Sequence, residues 1–240
     1  MKKTMIAAIL GACASFVFAD TMAPEGVNRE DEECSNEGRV WRMTLGGFAR
    51  GGMNLHPNGF KKERVEAYGA DADFQFNLLQ CSDLNLWADL GFSWAPNRRV
   101  YKKNGKEDIG AGFSYCWAER VQMQYGQLRL MLVPEWQATE SLAFGVRLGV
   151  GLDWIRMREH YSDAIVPAIG AWSQSDKSSR FTAEGIAGLQ ATYMFTSNLG
   201  FYANIDARMG EKMRFKKRGT HVAKLDMSGW CAGAGLIVQF

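Results

Sequence analysis

From Leu142 to Trp154 the chain alternates with a period of two. Leu142, Phe144, Val146, Leu148, Val150, Leu152 and Trp154 are bulky and apolar, while Ala143, Gly145, Arg147, Gly149, Gly151 and Asp153 are small or charged. Successive side chains point to opposite faces only in an extended strand, so this segment is a strand with one apolar face. Leu84, Leu86, Ala88, Leu90, Phe92 and Trp94 repeat the pattern against Asn85, Trp87, Asp89, Gly91 and Ser93. At the end of the chain Trp230, Ala232, Ala234, Leu236, Val238 and Phe240 alternate with Cys231, Gly233, Gly235, Ile237 and Gln239. The pattern predicts an all-β fold.

Three tight polar segments punctuate the strands: Cys81-Ser82-Asp83, Thr139-Glu140-Ser141 and Thr196-Ser197-Asn198, each followed by Leu. They are almost evenly spaced, with room between them for two strands and a longer connection. This rhythm predicts eight antiparallel strands near 40–54, 65–79, 84–95, 118–137, 142–155, 180–195, 199–212 and 222–240. Short turns lie at one end, and long loops near 55–64, 96–117, 156–179 and 213–221 at the other. In the fourth strand the apolar phase moves from Val121, Met123 and Tyr125 to Leu128, Leu130 and Leu132, which predicts a bulge near Gly126. A similar slip near Gly229 separates Leu225 and Met227 from Trp230.

Alternation alone does not say which face is inside. An eight-stranded barrel has an interior barely wide enough for side chains. Leu, Phe and Trp from every strand would overfill it, whereas the face bearing Gly, Ser and charge fits. The prediction is an eight-stranded antiparallel up-and-down transmembrane β-barrel, with a soluble barrel of opposite polarity as the alternative. The inward cations are then Arg42, Arg50, Arg129, Arg147 and Arg208, and the inward acids Asp71, Asp73, Asp89, Asp153, Glu184 and Asp206. Buried charges must pair, so a salt-bridged plug is expected, with Arg147 bonded to Asp89, Asp153 or Glu184. Trp41, Trp94, Trp136, Trp154, Tyr193 and Phe240 are expected in interface girdles.

Lys2 and Lys3, the apolar run Met5–Phe18 and the small-residue site before Asp20 predict a secretory signal peptide at 1–19. Leu10-Gly11-Ala12-Cys13 also admits a lipoprotein processing reading. Residues 20–39, with Glu30-Asp31-Glu32-Glu33, form an acidic lead-in to a barrel spanning 40–240. Without Lys2 and Lys3 the 28 basic residues fall to 26, matching 26 acids, so net charge offers no argument for nucleic acid. Mean hydropathy of −0.23 excludes a helical membrane protein but not a barrel, whose strands average out. Export permits disulfides; Cys34 and Cys81 would share the short-turn side and are the expected pair. No spacing of Cys and His points to zinc, and no cofactor is expected.

The terminal strand, with Gly235, Val238 and Phe240, resembles the C-terminal assembly signal of bacterial outer-membrane β-barrels. Over about residues 40–240 the chain resembles a small outer-membrane barrel of the OmpA/OmpX-like type. The resemblance implies an outer-membrane location, lipid and lipopolysaccharide as surroundings, and the barrel-assembly machinery as a partner during biogenesis. It does not imply peptidoglycan anchoring, because no domain for that follows the barrel. It names no extracellular ligand.

Some barrels of this size modify lipid A with a His, a Ser and an acid. His160-Tyr161-Ser162-Asp163 supplies those residue types, but consecutive residues rarely converge on one substrate. Arg98, Arg99, Lys102 and Lys103 in one long loop, and Arg214, Lys216, Lys217 and Arg218 in another, would meet lipopolysaccharide phosphates through charge-assisted bonds. The expected function is a non-enzymatic structural or surface-interaction barrel. A lipid A-modifying hydrolase or acyltransferase and a narrow channel are the alternatives.

Overall fold

The computed structural model describes residues 40–56, 63–81, 83–166, 170–216 and 222–240. The expected signal peptide, the acidic lead-in and Cys34 lie outside them. Ten strand segments follow one another: β1 (Trp41–His56), β2 (Glu63–Gln80), β3 (Leu84–Gly110), β4 (Phe113–Gln137), β5 (Leu142–Val166), β6 (Gly170–Met194), β7 (Leu199–Gly210), β8 (Lys212–Lys216), β9 (Val222–Asp226) and β10 (Gly229–Gln239). β8 prolongs β7, and β9 leads into β10, so the ten segments make eight staves. Each stave pairs antiparallel with the next, and β10 closes the ring on β1, from Arg42 opposite Gln239 to Gly51 opposite Trp230. This is the expected eight-stranded up-and-down barrel.

The short turns fall where the polar segments predict them. Thr139 and Thr196 act alike: each side-chain Oγ1 accepts the amide of the Leu three residues on, at 3.1 and 3.0 Å. Such side-chain turns give the backbone a local partner and end the ladder.

Inside and outside alternate along each strand. Leu45, Leu90, Phe92, Leu128, Leu130, Phe144, Leu189, Phe201 and Ile205 are exposed on the outer wall, while the eleven charged residues assigned to the interior are all buried. A continuous apolar belt around a charged core exceeds what a water-soluble monomer exposes. It is the polarity of a barrel embedded in lipid. Trp94, Gly126, Trp154 and Phe181 occupy one outward row across β3 to β6 and form part of the upper girdle. Trp41, Trp136, Phe144, Tyr193, Phe201 and Phe240 are exposed near the short turns.

Two expectations are corrected. There is no bulge at Gly126: β4 runs in unbroken register with β5 through Tyr125–Ile155, Gly126–Trp154 and Gln127–Asp153. Odd residues of β4 face inward throughout, so Val121, Met123 and Tyr125 lie inside while Leu128, Leu130 and Leu132 lie outside. Near Gly229 the pairing with β1 and with β7–β8 does move by one residue between β9 and β10, but Leu225, Met227 and Cys231 are all buried on one parity and Trp230 is outside, so the side-chain phase is unbroken. In both strands the apolar face changes sides as the strand leaves the lipid. The extra residue opposite this part of β4 falls in β3, where the register shifts between Ala95 and Arg98, and a further shift lies in β1 between Arg50 and Met53. There Gly52 has φ +79°, a backbone that L side chains rarely adopt. This bulge moves the inward parity from Phe48 and Arg50 to Met53 and Leu55.

The second correction concerns the long loops. Residues 96–117 and 156–179 are largely strand: β3 and β4 stay paired to a turn at 110–112, and β5 and β6 stay paired to Val166 and Gly170. A membrane crossing needs only about 9–11 residues. The stretch from Ile155 to Val166 therefore carries the sheet roughly 35–40 Å further along the strand. β2 pairs β3 only as far as Ala70–Trp94, and β7 pairs β6 only as far as Gly210–Glu184. Above those points β3 to β6 are no longer paired to β2 or β7, while β1, β2, β8 and β9 continue as a second paired sheet whose side chains share one buried cluster with theirs; beyond that cluster β3 to β6 project as a four-stranded sheet.

Candidate functional site

The interior is built in tiers, one strand row above another. Near the short turns Arg42 Nη1 donates to Glu135 at 2.6 Å, Arg42 Nε donates to Gln239 at 2.8 Å, and the guanidinium lies 4.0 Å from the centre of the Trp87 ring. Trp87 Nε1 donates to the same Glu135 at 3.2 Å. In the middle Arg129 donates to Asp71 at 2.6 Å and also to Asp73. Arg147 Nε stands 3.3 Å from Asp206 Oδ1, and its Nη2 3.9 Å from Asp73 Oδ2. These are ion-pair distances with the atoms turned away from hydrogen-bond geometry. The expected partners of Arg147, Asp89, Asp153 and Glu184, are thus replaced by Asp206 and Asp73. The reason is that the partner is set by height in the barrel, not by the next strand. Higher still, Arg50 forks onto Glu184 and reaches Asp153 at 3.3 Å, and Arg208 joins Glu184 at 3.0 Å and Asp206 at 2.9 Å. Asp89, with no cation in ion-pair reach among the described residues, accepts from Gln75 at 3.1 Å.

Glu135 is an inward acid that the sequence reading did not include. Its odd number on β4, shared with Arg129, is the signal that would have found it. Above the charges the interior turns apolar. Met53, Leu55, Met123, Ile155, Met157 and Leu225 belong to one buried cluster across the outer end of the barrel.

The projecting sheet has two unlike faces. On the outward face the cross-strand rows set Lys102 beside Arg120 beside His160, and Gln122 beside Arg158 beside Lys177. Arg156 and Lys106 share this face. On the inward face lie Glu107, Glu119, Glu159, Asp163 and Asp176, with Lys103 and Arg180 as its bases. The Lys103 ammonium lies 5.5 Å from the centre of the Trp117 ring. The Tyr115 hydroxyl is 2.9 Å from that of Tyr161 and donates to Asp163 at 3.1 Å. The bond to Tyr161, then burial, then Asp163 hold the Tyr115 phenol above its ordinary range.

The basic residues chosen from sequence divide accordingly. Arg98 lies over the Tyr68 ring at 4.8 Å, Arg99 and Arg214 are exposed, and Lys102 is on the outward face. Lys103 is on the opposite face. Lys216 ends β8, and Lys217 and Arg218 fall outside the described residues. Arg156, Arg158 and Lys177 fall in 156–179, where the apolar alternation has ended, and Arg120 falls in the expected fourth strand 118–137 outside both basic loop clusters, so the sequence pattern singles out none of them. Alternation also divides the His160–Asp163 segment: His160 and Ser162 face outward, Tyr161 and Asp163 inward. The four residues do not form one constellation, and among the described residues no group of three metal-ligating side chains converges.

Gly235, Val238 and Phe240 lie at the seam. A side chain at Gly235 would collide with the Leu45 carbonyl. Val238 pairs with Met43 and Leu199, and the Phe240 amide donates to Trp41 at 2.8 Å. Cys116 and Cys231 are free, while Cys81 is in a disulfide whose other half lies outside the described residues.

A closed ring of eight antiparallel staves, apolar outside and ion-paired within, makes this chain a small transmembrane β-barrel. No described protein family matches it, and no characterised protein is significantly similar in sequence. Solved barrels are similar in outline. The Yersinia pestis attachment invasion locus protein Ail is 13% identical, covering 84% of this chain and 99% of its own, at a TM-score of 0.39. OprG of Pseudomonas aeruginosa is 11% identical over 84% of this chain and 96% of its own, at 0.41. A major outer membrane protein of Thermus thermophilus is 11% identical over 82% and 99%, at 0.42. The assignment above rests on the register and burial of this chain itself.

Proposed function

We propose that the protein is a non-enzymatic, non-conducting barrel of the bacterial outer membrane that displays a stiff sheet at the cell surface and contacts lipopolysaccharide phosphates. The observation that carries this reading is the row Lys102–Arg120–His160 with Arg158–Lys177 beside it. Like charges set directly opposite one another destabilise a sheet. Phosphate groups at the same height relieve that repulsion through charge-assisted bonds. Arg98, Arg99, Lys102 and Arg214 belong to the contact, and Arg120, Arg156, Arg158 and Lys177 join them. The separation of His160 and Ser162 from Asp163 speaks against lipid A chemistry. The apolar cluster above the ion pairs speaks against a channel.

The test is thermal stability of the purified barrel in nanodiscs with and without added lipopolysaccharide. Parent protein should be stabilised by the lipid. An Arg120→Ala/Arg158→Ala/Lys177→Ala variant should lose most of that gain. Equal stabilisation of both would remove the phosphate contact from the reading. A change in the lipid A profile of cells expressing the protein would restore the enzymatic alternative.

A further inference from the structure

We propose that the inward face of the projecting sheet, around Trp172, Tyr161 and Asp163, binds a lysine- or arginine-rich polypeptide segment of a partner protein. Trp172 is 53% exposed, standing in water on a sheet that has no second layer there. Its ring meets Tyr161 edge-on, with centroids 6.0 Å apart. Asp163 is its direct neighbour across the strands. The Tyr115 hydroxyl holds one oxygen of Asp163, which fixes the carboxylate beside the indole. Asp176 and Glu159 lie on the same face two rows nearer the membrane.

An exposed indole with one carboxylate beside it and more along the same face suits a chain of cations, each carrying its own apolar stem. The ring face attracts the charge, the acids pair with it, and the methylenes cover the ring. The sheet already makes this arrangement once, with Lys103 over Trp117 in the rows beside it. The charge division adds direction. The outward face is basic and repels such a segment, so binding is confined to one side. A neutral glycan would also stack on aromatic rings and donate hydroxyls to carboxylates, but it would gain no charge attraction from an acidic face.

The proposal rests on the reading above only for the sheet being outside the cell. Both faces of a nanodisc are open to solvent, so the binding test does not depend on that reading. Fluorescein-labelled octa-arginine is titrated against the full protein in phosphatidylcholine nanodiscs. Saturable binding is expected, weakened about tenfold by Trp172→Ala and by Asp163→Asn. Trp172→Phe should restore most of the loss, and Ser173→Ala, on the outward face, should change nothing. Binding that is absent, that survives either of the first two substitutions unchanged, or that a neutral oligosaccharide displaces would overturn the proposal.

Discussion

Arg50 and Glu184 meet as a fork in the barrel interior, with Nη2 2.5 Å from Oε2 and Nη1 3.2 Å from Oε1. Both side chains are fully buried. They come from staves far apart in the chain, so the pair ties β1 to β6 across the lumen.

Glu184 also holds Arg208, so removing it leaves two buried guanidinium groups short of a shared carboxylate in a dry site. Glu184→Ala should cost about 3–5 kcal/mol of folding free energy. Arg214→Ala, on the exposed hairpin, should cost no more than about 1 kcal/mol. Urea titration of refolding into vesicles measures both. Similar costs for the two would mean that the interior pairs are hydrated and add little.

Leu148 lies on the outward face of β5, midway between Phe144 and Trp154. Leu148→Arg should cost about 2–4 kcal/mol in bilayer folding, and Leu148→Ala much less, because lipid fills the space. An Arg variant that folds into vesicles as well as the parent would contradict the lipid-facing assignment.

Ions entering from the short-turn side meet paired arginines, then the cluster of Met53, Met123, Ile155 and Leu225. Parent protein in planar bilayers should show little or no steady conductance. Large, stable and reproducible openings would promote the channel alternative.

Cys81 is oxidised, whereas Cys116 is partly exposed and Cys231 buried. We predict that non-reduced peptide mapping recovers Cys34 joined to Cys81. Alkylation of the folded protein should modify Cys116 and spare Cys231 until unfolding. Recovery of Cys34 as a free thiol would rule the pairing out.

The strands that cross the lipid were legible because one rule governs them: large and apolar outside, small or charged inside. Leu142 to Trp154 obeys it without exception. The same rule hid the projecting sheet. From Trp154 onward the outward residues become Arg156, Arg158 and His160, and the inward ones Ile155 and Met157, so an apolar-face search stops at the membrane surface. The reversal at Tyr125 suggests a bulge in β4 for the same reason, while the extra residues lie in β3 after Ala95 and in β1 at Gly52, the latter with only its glycine pair as a sign. Ion-pair partners were not legible either. Asp206 shares a cross-strand row with Arg147, and Gly188 between them leaves the space in which they meet; that row is set by inter-strand register, which no local spacing encodes.

The apolar cluster at the outer end has a thermal consequence. During local opening within the bilayer the outer side chains of the lipid-embedded part stay in hydrocarbon, so exposing them there adds little temperature dependence. Met123, Ile155, Met157 and Leu225 are instead sheltered from water, and exposing them carries the large positive heat capacity of apolar hydration. Cooling weakens that contribution. The outer end of the tube should therefore loosen in the cold before the rest, and hydrogen exchange at its amides should rise relative to the membrane-spanning rows as temperature falls.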